Sequence, residues 1–357
     1  VNDETSQPPS VAHLSPRAKV ERLIKQVRGR KRALILTHDN PDPDSLASAV
    51  ALAWILERRA RLQCHIAYGG IIGRAENLAL VRVLKLPVFP VGDVQFDDYD
   101  VFALVDTQET VGNHALPDYL KADIVIDHHP PREGSPPVAF LDVGGHYGAT
   151  STLLTEYLRA ARTEPSPELA TALYYGIKAD TRDLERETRE PDVRCYMWLF
   201  PRIDRAQLAQ IEHPELPVRY FQLYHAAIER AKVYSTAVMT DLGQVYTPDM
   251  VAEVAERMSF IDVVKWSLAY GSYKNQLFLS LRVSDRRMNA GKLVRDVCEG
   301  LGGSAGGHGS MAGARLPFPG GGPARTTLKR EVVKRFKQAF GVEGERGTAL
   351  LNLNDLP

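Results

Sequence analysis

Residues 33 to 44 read Ala-Leu-Ile-Leu-Thr-His-Asp-Asn-Pro-Asp-Pro-Asp. An apolar run ends in one histidine and two spaced aspartates, the composition of a metal-binding strand edge. Pro41 and Pro43 fix the backbone of the loop, so its acidic side chains are held in place. In extended chain Asp42 and Asp44 project to the same side, because side chains repeat with period two. The same aspartates could equally be turn formers, or cap a helix over Ser45–Arg58. Three further blocks tip the balance: Val105-Asp106-Thr107, Ile126-Asp127-His128-His129, and Gly176-Ile177-Lys178-Ala179-Asp180-Thr181. Each follows an apolar run or lies in a helical stretch.

Working outward, strands and helices alternate. Ala33–Thr37, Gln63–Tyr68, Val101–Val105 and Ile124–Ile126 read as strands, with helices over Ser45–Arg58 and Ala75–Val83. This alternation predicts an α/β fold with a parallel sheet covered by helices on both faces. In open sheets of this kind the functional loops lie beyond the carboxyl ends of the strands. His38, Asp106 and Asp127 all stand there. Helices are expected over 148–160 and 167–179, the second delivering Asp180. Domain limits are expected at 1–15 (a disordered polar tail), 16–205 (a catalytic domain), 206–232 (a helical linker) and 233–345. The last is a smaller α/β domain with strands at Val233–Met239, Trp266–Tyr273 and Leu277–Val283. The active cleft is expected between the two domains.

The 357 residues suffice for two cores, and 44% hydrophobic with 25% charged residues is ordinary for a globular chain. Lysine plus arginine and aspartate plus glutamate both number 44, which excludes a general polyanion binder. Cys64, Cys195 and Cys298 are odd in number and widely spaced, against a disulfide framework or a cysteine zinc site, and fit a reducing compartment. No apolar run approaches a membrane span, and Val1–Ser10 lacks the marks of a signal peptide. A cytoplasmic location is expected. The first residue is not methionine, so further native sequence is expected ahead of it.

The histidines and aspartates of these four blocks are candidate metal ligands. Imidazoles and carboxylates without thiolates suit a first-row ion such as Mn²⁺. Four carboxylates in one crevice repel one another unless cations compensate them. Two divalent ions ~3.5–4 Å apart can clamp a phosphoryl group and generate hydroxide.

The four blocks together resemble the DHH phosphoesterase superfamily, whose name describes the triplet at 127–129. Gly306-Gly307-His308 with Ala312-Gly313 is similar to the signature of the DHH-associated C-terminal domain. The likeness spans roughly residues 20 to 340, and the subgroup it resembles is the nanoRNase/pAp phosphatase and dinucleotide phosphodiesterase type. The resemblance implies two divalent ions, with Mn²⁺ favoured. His38, Asp42 and Asp106 would hold one; Asp44, Asp106, His128 and Asp180 would hold the other. It casts His129 as a group that stabilises charge or protonates the leaving oxygen, and Asp127 as the carboxylate orienting a neighbouring histidine.

In the C-terminal domain the glycines of Gly302–Gly313 are expected to form a loop that approaches a ligand closely, its amides making an anion nest. Gly306, Gly307, His308 and Ser310 are the substrate-contact candidates, with Arg282 as a bidentate phosphate ligand. Arg74, after Gly69-Gly70, is a further phosphate candidate. Ala305 and Met311 depart from the family pattern, which puts substrate length in doubt more than catalysis. The expected function is manganese-dependent hydrolysis of nanoRNA, pApA-type dinucleotides or pAp by hydroxide attack on phosphorus. Inorganic pyrophosphatase or short-chain exopolyphosphatase is the enzymatic alternative, and a non-catalytic nucleotide sensor the alternative of another class. The expected partners are short oligonucleotides, dinucleotides or nucleotide phosphates, with no long nucleic acid and no membrane, and a homodimer is admissible.

Overall fold

The structure is a computed structural model describing residues 10–132, 134, 136–144, 146–284 and 288–352. The chain divides into two compact units, Val1–Pro214 and Glu215–Pro357.

The first unit runs α1 (Pro16–Gln26), β1 (Arg32–Leu36), α2 (Pro43–Ala60), β2 (Gln63–Tyr68), α3 (Ala75–Leu84), β3 (Val88–Pro90), β4 (Val101–Val105), β5 (Ile124–Asp127), β6 (Phe140–Val143), α4 (Thr150–Ala160), α5 (Pro167–Asp180), α6 (Glu190–Leu199) and α7 (Arg205–Glu212). Its six strands are all parallel, in the order β3-β2-β1-β4-β5-β6. Strands covered on both faces read as continuous apolar runs, and β1, β4 and β5 are buried along almost their whole length. The strand order reverses between β1 and β4. This is the switch point at which the loops beyond two adjacent strands diverge and leave a crevice. β1 delivers His38 to it, β4 delivers Asp106, and neighbouring β5 delivers Asp127.

The second unit runs α8 (Val218–Arg230), β7 (Lys232–Tyr234), β8 (Ala237–Gln244), α9 (Asp249–Met258), β9 (Trp266–Tyr273), β10 (Gln276–Val283), α10 (Ala290–Cys298), β11 (Ser304–His308), β12 (Met311–Pro317), α11 (Gly322–Ala339) and β13 (Thr348–Ala349). Its seven-stranded sheet has the order β11-β12-β10-β9-β8-β7-β13, and its β8–β9 pair is parallel. No described helix is long and apolar enough to cross a membrane.

Three expectations change. Residues 1–9 lie outside the described residues, but 10–15 are not a loose tail. Val11 is fully buried and its amide donates to Leu141 O at 2.9 Å, and Ser15 caps α1. The expected linker 206–232 is two helices. α7 packs on α3 and α5 in the first unit, and α8 packs on β8 in the second. Pro217, the residue before α8, separates them. The expected glycine loop is an antiparallel hairpin, with Gly306 opposite Gly313 and Gly307 opposite Ala312. Gly306 and Gly307 therefore sit in the ladder of an edge strand rather than in a free anion nest.

Candidate metal centre

α2 begins with Asp42 as its N-cap. The Asp42 carboxylate accepts the Ser45 amide at 2.9 Å, and the Ser45 hydroxyl lies 3.1 Å from the Asp42 amide. The helix-cap reading of Asp42 thus holds, and the same carboxylate lies 3.7 Å from His38 Nε2. His38 Nδ1 is 3.0 Å from Asp39 O, which leaves Nε2 pointing at Asp42 and at Asp106 Oδ2, 3.6 Å away. His38, Asp42 and Asp106 form one group of facing ligand atoms, all within 4.8 Å of one another.

Asp44, one residue into α2, is buried together with Asp106. Asp44 Oδ2 accepts the Thr150 amide and Oδ1 the Ser151 amide, each at 2.7 Å. These are the first free amides of α4, where the helix dipole favours an anion. Each oxygen keeps a second lone pair for a cation. His128 Nε2 lies 3.2 Å from Asp180 Oδ2 and 3.7 Å from Asp106 Oδ1. Asp44, His128 and Asp180 form a second group within the same 4.8 Å limit. Asp106 faces both groups, one carboxylate oxygen toward each.

Asp106 has φ of 61°, in the left-handed region that few residues other than glycine occupy. The turn lifts its side chain off the end of β4 and into the crevice. Its amide donates to Ile126 O at 2.9 Å, and Thr150 Oγ1 donates to its Oδ1 at 2.7 Å.

His129 is placed differently from His128. Its Nδ1 lies 2.8 Å from Asp127 Oδ1, and its side chain is 48% exposed, which leaves Nε2 available to a substrate. Asp127 is buried, and its other oxygen accepts Gln108 Nε2 at 2.7 Å. Burial raises the Asp127 carboxyl, but its bonds from His129 and Gln108 outweigh that and hold it below its ordinary value.

The electrostatics fit divalent cations. Burial, then the charge of Asp42, raises Asp44. Burial, then Asp44 and Asp42, raises Asp106 well above the carboxylate range. Burial and the same two neighbours push Asp180 up to about 8. Burial lowers His38, yet the Asp42 hydrogen bond and charge overcome it and bring the imidazole up to about 9. Buried carboxylates this close cannot all ionise on their own; cations would supply the missing charge. The donors are nitrogen and oxygen only, which suits Mn²⁺ or Mg²⁺ and not a thiolate zinc site.

Several residues here carry no mark in the sequence blocks. Thr150 touches Asp44, Asp106 and the His128 amide. Gln108 braces Asp127. Arg186 donates to Asp180 O at 3.2 Å. The one available signal was Thr150-Ser151-Thr152, a hydroxyl run of the kind that opens helices. Arg74 stands at the N-terminal boundary of α3, and its charge reaches Tyr175 of α5. It belongs to none of the three clusters of candidate ligands among the described residues, the third being Asp106, Asp127, His128 and His129.

In the second unit Arg282 Nη1 donates to Ser280 Oγ at 2.8 Å, which fixes the guanidinium along β10. Strand register sets Arg282 opposite Met311, and Met311 opposite His308. Ser310 lies in the hairpin turn, and its carbonyl accepts the Val283 amide at 2.9 Å. Gly307, at φ 145°, is tightly enclosed: a Cβ there would run into Met311 O and Ala312.

The family model for the DHH family, N-terminal domain, matches residues 32–177, and that for the DHHA1 domain matches 232–340. Uncharacterized protein MJ1633 of Methanocaldococcus jannaschii is 35% identical over 299 residues, covering 83% of this chain. The chain spans 60% of the length of that relative. Uncharacterized protein MJ0988 of the same organism is 21% identical over 315 residues, covering 85% of this chain and 92% of the relative. An exopolyphosphatase-related protein from Bacteroides fragilis has the same fold, with a TM-score of 0.71 at 15% identity over 92% of this chain and 99% of the other. With both domains matched in order, and the motif-bearing strand ends of the first meeting at one switch point, the chain belongs to the DHH phosphoesterase superfamily.

Proposed function

We propose that this phosphoesterase hydrolyses short nucleotides: nanoRNA, pApA-type dinucleotides or pAp. Its cofactor is a pair of divalent ions, with Mn²⁺ favoured. The observation that carries the reading is that Asp106 faces two ligand groups at once, one through each carboxylate oxygen. His38, Asp42 and Asp106 would hold one ion, and Asp44, Asp106, His128 and Asp180 the other. When bound, the ions supply charge neutralisation at a phosphoryl group and an activated water.

The chain's own residues supply the rest. The α4 amides hold Asp44 in one orientation, and Thr150 does the same for Asp106. Asp127 fixes His129 through Nδ1, so Nε2 is the atom that exchanges a proton with the leaving oxygen. In the second domain, Arg282 and the residues in register with it, Met311 and His308, are assigned to the nucleotide end, together with Gly306, Gly307 and Ser310. The edge position of β11 supports this role, since a Cβ at Gly306 would meet nothing within 4 Å. Arg74 is assigned a phosphate contact from the first domain.

A product-resolved assay with Mn²⁺ on pApA, a short RNA series, pAp and pyrophosphate tests the reading. Cleavage of the dinucleotide or short RNA to mononucleotides, or release of phosphate from pAp, is the expected result. Turnover of pyrophosphate alone would contradict it.

A further inference from the structure

α11 has two different faces. Val332 and Phe336, one turn apart, are buried in the core of the second unit. Beside that seam run Thr326, Lys329, Arg330, Val333, Lys334 and Lys337, at the i, i+3, i+4, i+7, i+8 and i+11 spacing of one helical face. Such spacing ordinarily marks an apolar stripe; here it carries four cations. The stripe forms one wall of a cavity of about 610 Å³, and Asp241 of β8, Tyr270 of β9 and Glu343 complete the lining.

Two of the cations serve the fold. Lys329 Nζ lies 2.7 and 2.8 Å from the Asp241 oxygens. Lys337 Nζ donates to Glu345 O and sits 4.7 Å from the centre of the Tyr234 ring. Arg330 and Lys334 are exposed and one turn apart, and neither forms a hydrogen bond or ion pair among the described residues. Of the nearby carboxylates, Glu331 pairs with Arg335 at 2.7 Å and also feels the charge of Lys334, and Glu343 accepts Gln338 Nε2 at 2.6 Å. Like charges at this helical spacing destabilise the helix that bears them. The chain as a whole is neutral, so general basicity does not account for the stripe.

We propose that this cavity is a second anion site, which binds a small molecule bearing a chain of two or more phosphates. The Arg330 fork suits one phosphate bidentately, and Lys334 meets the next as a point charge. Lys337 extends the positive wall, while Asp241 balances the charge of Lys329. The volume falls in the small-ligand range of ~300–1,000 Å³. Tyr270 and Val333 provide an apolar surface beside the charges. A free oligophosphate and a nucleoside polyphosphate share the recognised chemistry.

Calorimetric titration of the full chain in EDTA, which silences metal-dependent phosphate binding, tests the proposal with tripolyphosphate and with ATP in ~0.15 M salt. Saturable binding is expected. It should fall at least ~tenfold in the double variant Arg330→Glu/Lys334→Glu, since two charge-assisted contacts are reversed. Asp106→Ala should bind as the unaltered chain does. Tighter binding of ATP than of tripolyphosphate identifies a nucleotide ligand, and equal binding identifies the phosphate chain alone. If the charge-reversed pair does not fold, Arg330→Ala/Lys334→Ala decides by the same loss. No saturable binding, undiminished binding in the double variant, or loss of binding in Asp106→Ala would overturn the proposal.

Discussion

The Thr150 hydroxyl donates to Asp106 at 2.7 Å, and through that bond the start of α4 governs the carboxylate that faces both ligand groups. Thr150 is fully buried, its amide donates to Asp44, and its hydroxyl oxygen accepts the His128 amide at 3.2 Å. Thr150→Val keeps the volume and removes the hydroxyl. Loss of such an outer support typically weakens metal binding or activity ~10–100-fold. Thr150→Ser should recover most of it. Mn²⁺ titration and dinucleotide turnover of both variants check this; an unimpaired Thr150→Val beside an impaired Thr150→Ser would mean that the methyl, not the hydroxyl, matters.

The two neighbouring histidines should separate on metal analysis. His128 Nε2 faces Asp106 and Asp180, whereas His129 Nδ1 is occupied by Asp127. His128→Ala is expected to lose one ion. His129→Ala should keep both and turn over more slowly, by the ~10²–10⁴-fold typical of a general acid. Equal metal loss in the two would reverse the assignment.

Gly176 lets α5 approach the metal loop. A Cβ there would run into the Ser151 hydroxyl and come within 3.2 Å of Asp44 Cα. Gly176→Ala should push α5 outward and carry Asp180 away from His128. Overpacking of this kind destabilises by ~1–3 kcal/mol, so a lower melting temperature together with weaker metal binding is expected. A variant with unchanged Tm and full metal content would show that the helices adjust freely.

Lys19 and Asp142 form a buried pair at 2.9 Å, with the Tyr157 hydroxyl donating to the same carboxylate at 2.6 Å. Lys19→Met strands the carboxylate, a change worth ~3–5 kcal/mol when a buried pair is broken. Chemical denaturation should report that loss, while turnover per folded molecule stays near normal. A stability change under ~1 kcal/mol would mean that Tyr157 alone suffices for Asp142.

Arg282→Ala should raise KM for dinucleotides roughly ten- to a hundredfold, the value of a charge-assisted contact of ~1.5–3 kcal/mol. Hydrolysis of bis-p-nitrophenyl phosphate should hardly change, because that substrate needs only the metal centre. Equal loss on both substrates would place Arg282 in the chemistry or the fold.

The parallel sheet was readable because its strands are buried on both faces. The expected bounds of β2, β4 and β9 coincide with the observed ones. The candidate ligands were readable because each lies at the end of a buried run or at a helix terminus. The hairpin at Ser304–Pro317 was not, since glycine has low strand propensity and the pairing partner is tertiary information. The 206–232 segment read as a helical linker, and Pro214 and Pro217, which divide it into two helices, were not weighed as breaks. β6 and α6 were missed, the latter for its mixed polarity. Thr150 and Gln108 touch the ligands only across the fold, and no local pattern reports such a contact.

The central claim is a two-ion centre joined by Asp106, and direct metal counting tests it. Equilibrium titration of the metal-free chain with Mn²⁺, read by electron paramagnetic resonance of the unbound ion, should give two equivalents per chain. Asp106→Ala should bind fewer and lose dinucleotide hydrolysis. A single equivalent in the unaltered chain, or two equivalents with normal turnover in Asp106→Ala, would contradict the account.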